Sequence, residues 1–121
     1  MNEQIAKITK TALGYEDHGI FTAWLSLDYG GGGQGAGGYA LDEYDEPKKR
    51  RVGHKCGMDF IIGVLAACGV DSWEKVAGRT VIALREDGWH GKVVGLKPLP
   101  TESGSEFIFA DAFERVETLT A

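Results

Sequence analysis

Cysteine, proline and histidine are scarce in this 121-residue chain, at two, three and three copies. Cys56 and Cys68 are too few for the disulfide framework of a small secreted domain, and no second Cys/His pair at zinc spacing accompanies them. Both are expected as free core thiols. His18, His54 and His90 stand far apart in loops or turns, so no metal site follows from their spacing. Long apolar runs are missing too. Nothing approaches the ~20 residues of a membrane-spanning helix, and Met1-Asn2-Glu3-Gln4 has neither the charge nor the apolar stretch of a secretory leader. A cytoplasmic protein with no membrane partner is expected. Positive charge is in deficit, with 13 Lys and Arg against 18 Asp and Glu and a formal net charge of −5. General polyanion binders collect cations to displace counterions, so direct nucleic-acid binding is not expected. A small anion held in one local pocket is compatible with this charge. A catalytic constellation is absent as well. Ser26, Ser72, Ser103 and Ser105 lie in no nucleophile elbow or triad context, and neighbouring Asp17 and His18 point in opposite directions on an extended chain. No catalytic residue, no cofactor and no enzyme activity is expected.

What the chain has in excess is glycine, at 18 copies. Seven of the nine residues from Gly30 to Gly38 lack a Cβ. Ordering such a segment costs more backbone entropy than any other composition, so it reads either as a flexible hairpin tip or as a loop whose bare N–H groups lie against an anionic ligand. Gly33, Gln34 and Gly35 are its candidate ligand contacts. The segment matches neither nucleotide fingerprint: it lacks the terminal Gly-Lys-Ser/Thr of a P-loop, and it does not open a helix as a dinucleotide-binding loop must.

Taken in order, Ile5 to Leu13 alternates loosely and predicts an opening strand, followed by a turn over Gly14–Gly19. From Ile20 the alternation is clean, with Phe21, Ala23, Leu25, Leu27 and Tyr29 on one face and Trp24 exceptional on the other. Gly38 to Leu41 is expected as the returning strand. The acidic run Asp42–Glu46 abuts the basic run Lys48–Arg51, which reads as a self-paired solvated loop in which Arg50 and Arg51 are alternatives for meeting phosphate. Gly57 to Cys68 carries Phe60, Ile61, Val64, Leu65 and Cys68 at helical spacing before Gly69, and its apolar circumference predicts a helix packed on every side. Asp71-Ser72-Trp73-Glu74 predicts a capped helical turn. Arg79–Glu86 and Trp89–Lys97 predict a hairpin ended by Pro98 and Pro100, Glu106–Phe109 a last strand, Asp111–Val116 a short C-terminal helix, and Thr118–Ala121 a frayed end. Strands, then a buried helix, then strands indicate a single α+β domain over residues 1–121, with a mainly antiparallel sheet.

Aromatics with charged neighbours complete the inventory. A flat base with a phosphate is held by stacking and charge-assisted hydrogen bonds, and Arg115 with Phe113 and Asp111, or Arg85 with Trp89, are the pairs suited to it. In that reading Arg holds phosphate, the ring stacks, and Asp111 accepts from a ribose hydroxyl or an amine; in the other, Phe113 is a core anchor and Arg115 a solvated ion-pair partner. Trp24 and Trp89 expose enough aromatic surface to predict a homo-oligomer, a dimer or higher.

Leu13-Gly14-Tyr15-Glu16-Asp17-His18-Gly19-Ile20-Phe21-Thr22, the glycine run with Gln34, and Gly69-Val70-Asp71-Ser72-Trp73-Glu74 resemble the first-described Thoeris anti-defence family of phages and prophages. The resemblance covers about Leu13 to Leu84, and Trp89 to Phe109 fits it least. It implies a homo-oligomeric sponge that sequesters cyclic ADP-ribose signals made by bacterial TIR-domain enzymes, without cleaving them, in the host cytoplasm. The alternatives are a protein-binding phage inhibitor of a host defence nuclease, using Asp42, Glu43, Asp45 and Glu46 as a nucleic-acid mimic, and an enzyme that degrades a nucleotide signal.

Overall fold

A computed structural model describes residues 1–16, 18–88 and 91–114. Its strands are β1 (Asn2–Tyr15), β2 (Phe21–Asp28), β3 (Gly33–Ala40), β4 (Asp42–Asp45), β5 (Arg50–Gly53), β6 (Thr80–Arg85), β7 (Val93–Lys97) and β8 (Phe107–Ile108), and its one long helix is α1 (Lys55–Cys68). Six strands form one sheet in the order β3-β2-β1-β6-β7-β8, every neighbour antiparallel, while β4 and β5 pair only with each other. This is the α+β arrangement that the element order indicates.

β1 is longer than the predicted strand because it serves two partners. Asn2–Lys7 pairs with β6, and Lys7–Tyr15 pairs with β2. Where the partner changes, a bulge between Ile8 and Lys10 leaves Thr9 as the extra residue, its hydroxyl donating to the Ser26 carbonyl at 3.2 Å. A bulge shifts the side-chain phase, and that is why the sequence alternates only loosely here.

β2 buries Ala23, Leu25 and Leu27 as the alternation requires, and Thr22 as well. The glycine run differs from the hairpin-tip reading. The turn occupies only Tyr29 to Gly32, closed by Tyr29 N–H donating to the Gly32 carbonyl at 2.7 Å, and strand begins at Gly33. The side chain that makes glycine useful there is Trp24, whose indole lies across β3. A Cβ at Gly35 would stand 3.5 Å from the ring, and one at Gly38 would fall inside it. Gly37 and Gly38, at φ of 102° and 81°, also form the bulge opposite Trp24.

Helix α1 starts two residues before the predicted boundary, because His54 caps it: Nδ1 accepts from Gly57 N–H at 2.9 Å. Gly69, at φ 66°, ends it as expected. The expectation of burial all round does not hold. Phe60, Val64, Ala67 and Cys68 face the core, while Met58 and Ile62 are 57% and 54% exposed, because nothing covers the outer side of the helix among the described residues. Phe60 meets Tyr39, Phe107, Phe109 and Phe113.

Three shorter predictions also shift. Neither Asp71 nor Ser72 caps the turn after α1 with its side chain, since Asp71 pairs with Lys75 at 2.8 Å. Trp73 is anchored instead by its indole N–H to Thr11 Oγ1 at 3.1 Å. The last strand shrinks to Phe107–Ile108, and the C-terminal helix is a 3₁₀ turn over Phe109–Phe113 that ends at Glu114; residues 115 and 116 of that prediction, and Thr118–Ala121, lie outside the described residues.

Candidate functional site

Sheet curvature brings β3 against β7, and a chain of polar contacts ties the edge strand to the β6–β7 loop. Tyr29, continuing the inward face of β2, donates its hydroxyl to Gln34 Oε1 at 2.7 Å. Gln34 Nε2 donates to the Gly91 carbonyl at 3.2 Å, so both ends of the amide are assigned by their partners. The same carbonyl accepts from Arg85 Nε at 3.2 Å, and Arg85 Nη1 donates to Gln4 Oε1 at 2.8 Å. The guanidinium carbon stands 5.6 Å from the centre of the Tyr29 ring, a cation–π distance. Burial pushes the Tyr29 phenol above its ordinary value, and the Arg85 charge opposes this more weakly. Tyr29 therefore remains a hydrogen-bond donor at neutral pH.

These groups surround an open polar cavity of about 640 Å³ lined by Gln4, Tyr29, Gly31, Gly32, Gly33, Gln34, Arg85 and Gly88. Arg85 uses two of its five N–H groups on Gly91 and Gln4, and no carboxylate pairs with it among the described residues. The glycine turn offers the cavity backbone without side chains. Gly91 is needed on the far side, because a Cβ there would collide with the Glu86 carbonyl. The cavity is thus a hydrogen-bonded frame with spare guanidinium donors on one wall and bare main chain on another.

The predicted site residues divide. Arg85, Gln34 and Gly33 come together here. Gly35 lies under Trp24 and does not line the cavity. Trp89 and Arg115 are outside the described residues. Phe113 stacks on Tyr39 with centroids 5.1 Å apart at 22° and packs on Phe60, which gives its ring a core role, and Asp111 is exposed beside it. Neither Arg–aromatic pair lies wholly within the described residues.

Arg51, one of the alternatives for phosphate, is engaged elsewhere. Its Nε and Nη2 grip the Asp42 carboxylate at 3.0 and 2.9 Å, and Nη2 also reaches the Asp42 carbonyl at 3.0 Å. The acidic and basic runs form the β4–β5 hairpin, with Asp45 opposite Arg50 and Tyr44 opposite Arg51.

Gln4, Tyr29 and Gly91 escaped the sequence reading as site residues. Tyr29 carried a signal, an aromatic next to the glycine run. Gln4 carried none, because only the β1–β6 pairing brings it to Arg85. Among the described residues no group of three or more His, Cys, Asp or Glu side chains is placed to hold a metal ion. Compared with protein families, with curated proteins and with solved structures, the chain gives no match.

Proposed function

We infer that the protein captures a small phosphate-bearing nucleotide signal in the Arg85–Tyr29–Gln34 cavity and holds it without cleaving it. The observation that carries this reading is the convergence of a guanidinium with no carboxylate partner among the described residues, a glycine turn and a polar frame around one cavity of ligand size. In a chain of net charge −5 an anion needs such a local cation to offset the surrounding field. The spare N–H groups of Arg85 suit phosphate oxygens, and Gly31 to Gly33 let a ligand approach the main chain closely. Among the described residues the lining offers no nucleophile paired with a general base, which favours retention over turnover. With the resemblance of Leu13–Thr22 and Gly69–Glu74 to the Thoeris anti-defence family, the ligand class is a cyclic ADP-ribose isomer, withheld from a host immune effector. The nuclease-inhibitor alternative gains no support from its acidic run, which pairs with the neighbouring basic run in the hairpin.

The test is calorimetric titration with cyclic ADP-ribose isomers and cyclic oligonucleotides, followed by recovery of the ligand after denaturation. Tight binding with intact ligand returned is expected, and Arg85→Ala should weaken it by about ten- to a hundredfold, the loss of one or two charged hydrogen bonds. Altered ligand would establish an enzyme. No uptake across the panel, or binding indifferent to Arg85→Ala, removes this reading.

A further inference from the structure

On the side of the molecule that carries the β4–β5 hairpin lies a second cavity, of about 510 Å³ and mostly apolar, between that hairpin and the first turns of α1. Phe21, Leu41, Val52 and Ile61 supply apolar wall, and Tyr15 and Met58, 73% and 57% exposed, stand at its mouth. It exists because the hairpin is joined to the sheet at few points. Asp42 Oδ1 accepts from Phe21 N–H at 3.2 Å, and Arg51 locks the same carboxylate. The gap beside that anchor is left unfilled.

Of the polar side chains that line this space, Arg51 and His54 each have an N–H donor to spare. Arg51 uses Nε and both hydrogens of Nη2 on Asp42, which leaves the two Nη1 hydrogens without a partner among the described residues. His54 accepts Gly57 N–H at Nδ1, so the ring proton sits on Nε2, also without a partner there. The Asp42 carboxylate is engaged: Oδ1 takes two hydrogen bonds, and Oδ2 and the Asp42 carbonyl one each. The charges beside the cavity cancel, Arg51 with Asp42 and Lys55 with Asp59. An apolar room with two free N–H donors and no net charge favours an occupant of matching shape that ends in an acceptor.

We propose that this cavity is a second, independent binding site for a small molecule with an apolar, aromatic-sized body ending in a carbonyl-type acceptor, held by Arg51 Nη1 and His54 Nε2. A cationic end is disfavoured, because the Asp42 carboxylate is already held by Arg51 and a second cation would lie against the guanidinium. The site shares no lining residue with the Arg85 cavity, so it operates whether or not that cavity takes a nucleotide.

The experiment is an amide-resolved NMR titration with three probes of one shape: 2-acetonaphthone, 2-naphthoate and 2-naphthylmethylammonium, with the peptide N-acetyl-Ala-Ala-Phe as a fourth arm. Saturable shifts confined to residues 52–61 and the Tyr15–Phe21 edge are expected for the ketone, with the ammonium at least tenfold weaker. Asp caps a helix at least as well as His does but carries no N–H donor, so His54→Asp should weaken the ketone about fivefold while the protein stays folded. Val52→Trp should fill the room and abolish binding, and Arg85→Ala should leave it unchanged. The assignment is overturned by equal affinity for the ammonium and the ketone, or by no saturable shift at these residues. A peptide tenfold tighter than the ketone would overturn it too, making the cavity a seat for a protein tail.

Discussion

Asp42 is a buried carboxylate kept ionised by its surroundings. Hydrogen bonds from Arg51 hold its carboxyl below the usual range, burial opposes this, and the Phe21 amide adds a further downward pull. Because the folded value lies below the unfolded one, the stability this group contributes is fully present above about pH 4, the ordinary Asp range, and is lost as pH falls through the lowered value. Asp42→Asn should therefore lower the melting temperature at pH 7 by several degrees, with the gap to the parent closing as pH falls toward 2. A gap of the same size at pH 3 and pH 7 would show that the charge contributes nothing. The sequence made the self-pairing of the acidic and basic runs legible, because opposite blocks side by side neutralise each other. It did not reveal which Arg takes which acid. That depends on the hairpin register and on a β2 amide twenty-one residues away, and neither leaves a local mark.

At the scale of elements, the clean alternation of β2 and the helical spacing from Phe60 to Cys68 were both legible, since each follows from a single buried face. The helix was over-read because an apolar residue in a sequence says nothing about whether a neighbour covers it. Met58 and Ile62 have the composition of core and the exposure of surface. The inner face is where substitutions will tell. Val64 is fully buried, so Val64→Asp places an unpaired carboxylate in the core at several kcal/mol, on the order of half the stability of a small domain. Gly63 faces β8, and a Cβ there would stand 2.6 Å from the Phe107 ring, so Gly63→Leu forces the helix away from the aromatic cluster. Gly32→Ala meets nothing within 4 Å, its φ is not positive, and it should be neutral or slightly stabilising. Urea midpoints of the three variants check this ordering. A Gly32→Ala loss equal to that of Val64→Asp would contradict it. The glycine run was the hardest element to read, since strand glycines that bed an indole and turn glycines that free the backbone are the same letters.

For the whole molecule, the outer face of the sheet predicts self-association. Trp24 is 42% exposed, and it shares one shallow surface pocket with Ala12, its cross-strand partner, and with Gly14 and Glu16. The indole is held in place by the glycines beneath it and by its N–H donating to Glu16 Oε2 at 3.3 Å, so it loses little side-chain freedom when another surface covers it. A second copy offers the same apolar face across a two-fold axis, the commonest closed arrangement. Two chains of net charge −5 repel, and at physiological salt the Debye length of about 8 Å screens charges lying away from the contact. Association driven by apolar area and opposed by net charge must strengthen as salt rises, the reverse of one driven by ion pairs. Light scattering at micromolar concentration should give a particle of at least twice the 13.1 kDa chain mass, with the dimer fraction growing between 50 mM and 500 mM NaCl. Ala12→Glu, which adds a charge beside Trp24 at an exposed position without opening a core cavity, should return the protein to monomer with its melting temperature little changed. A parent that scatters as 13.1 kDa throughout would mean that Trp24 faces water or a different partner. A dimer that weakens with salt would place the contact on charged surface instead.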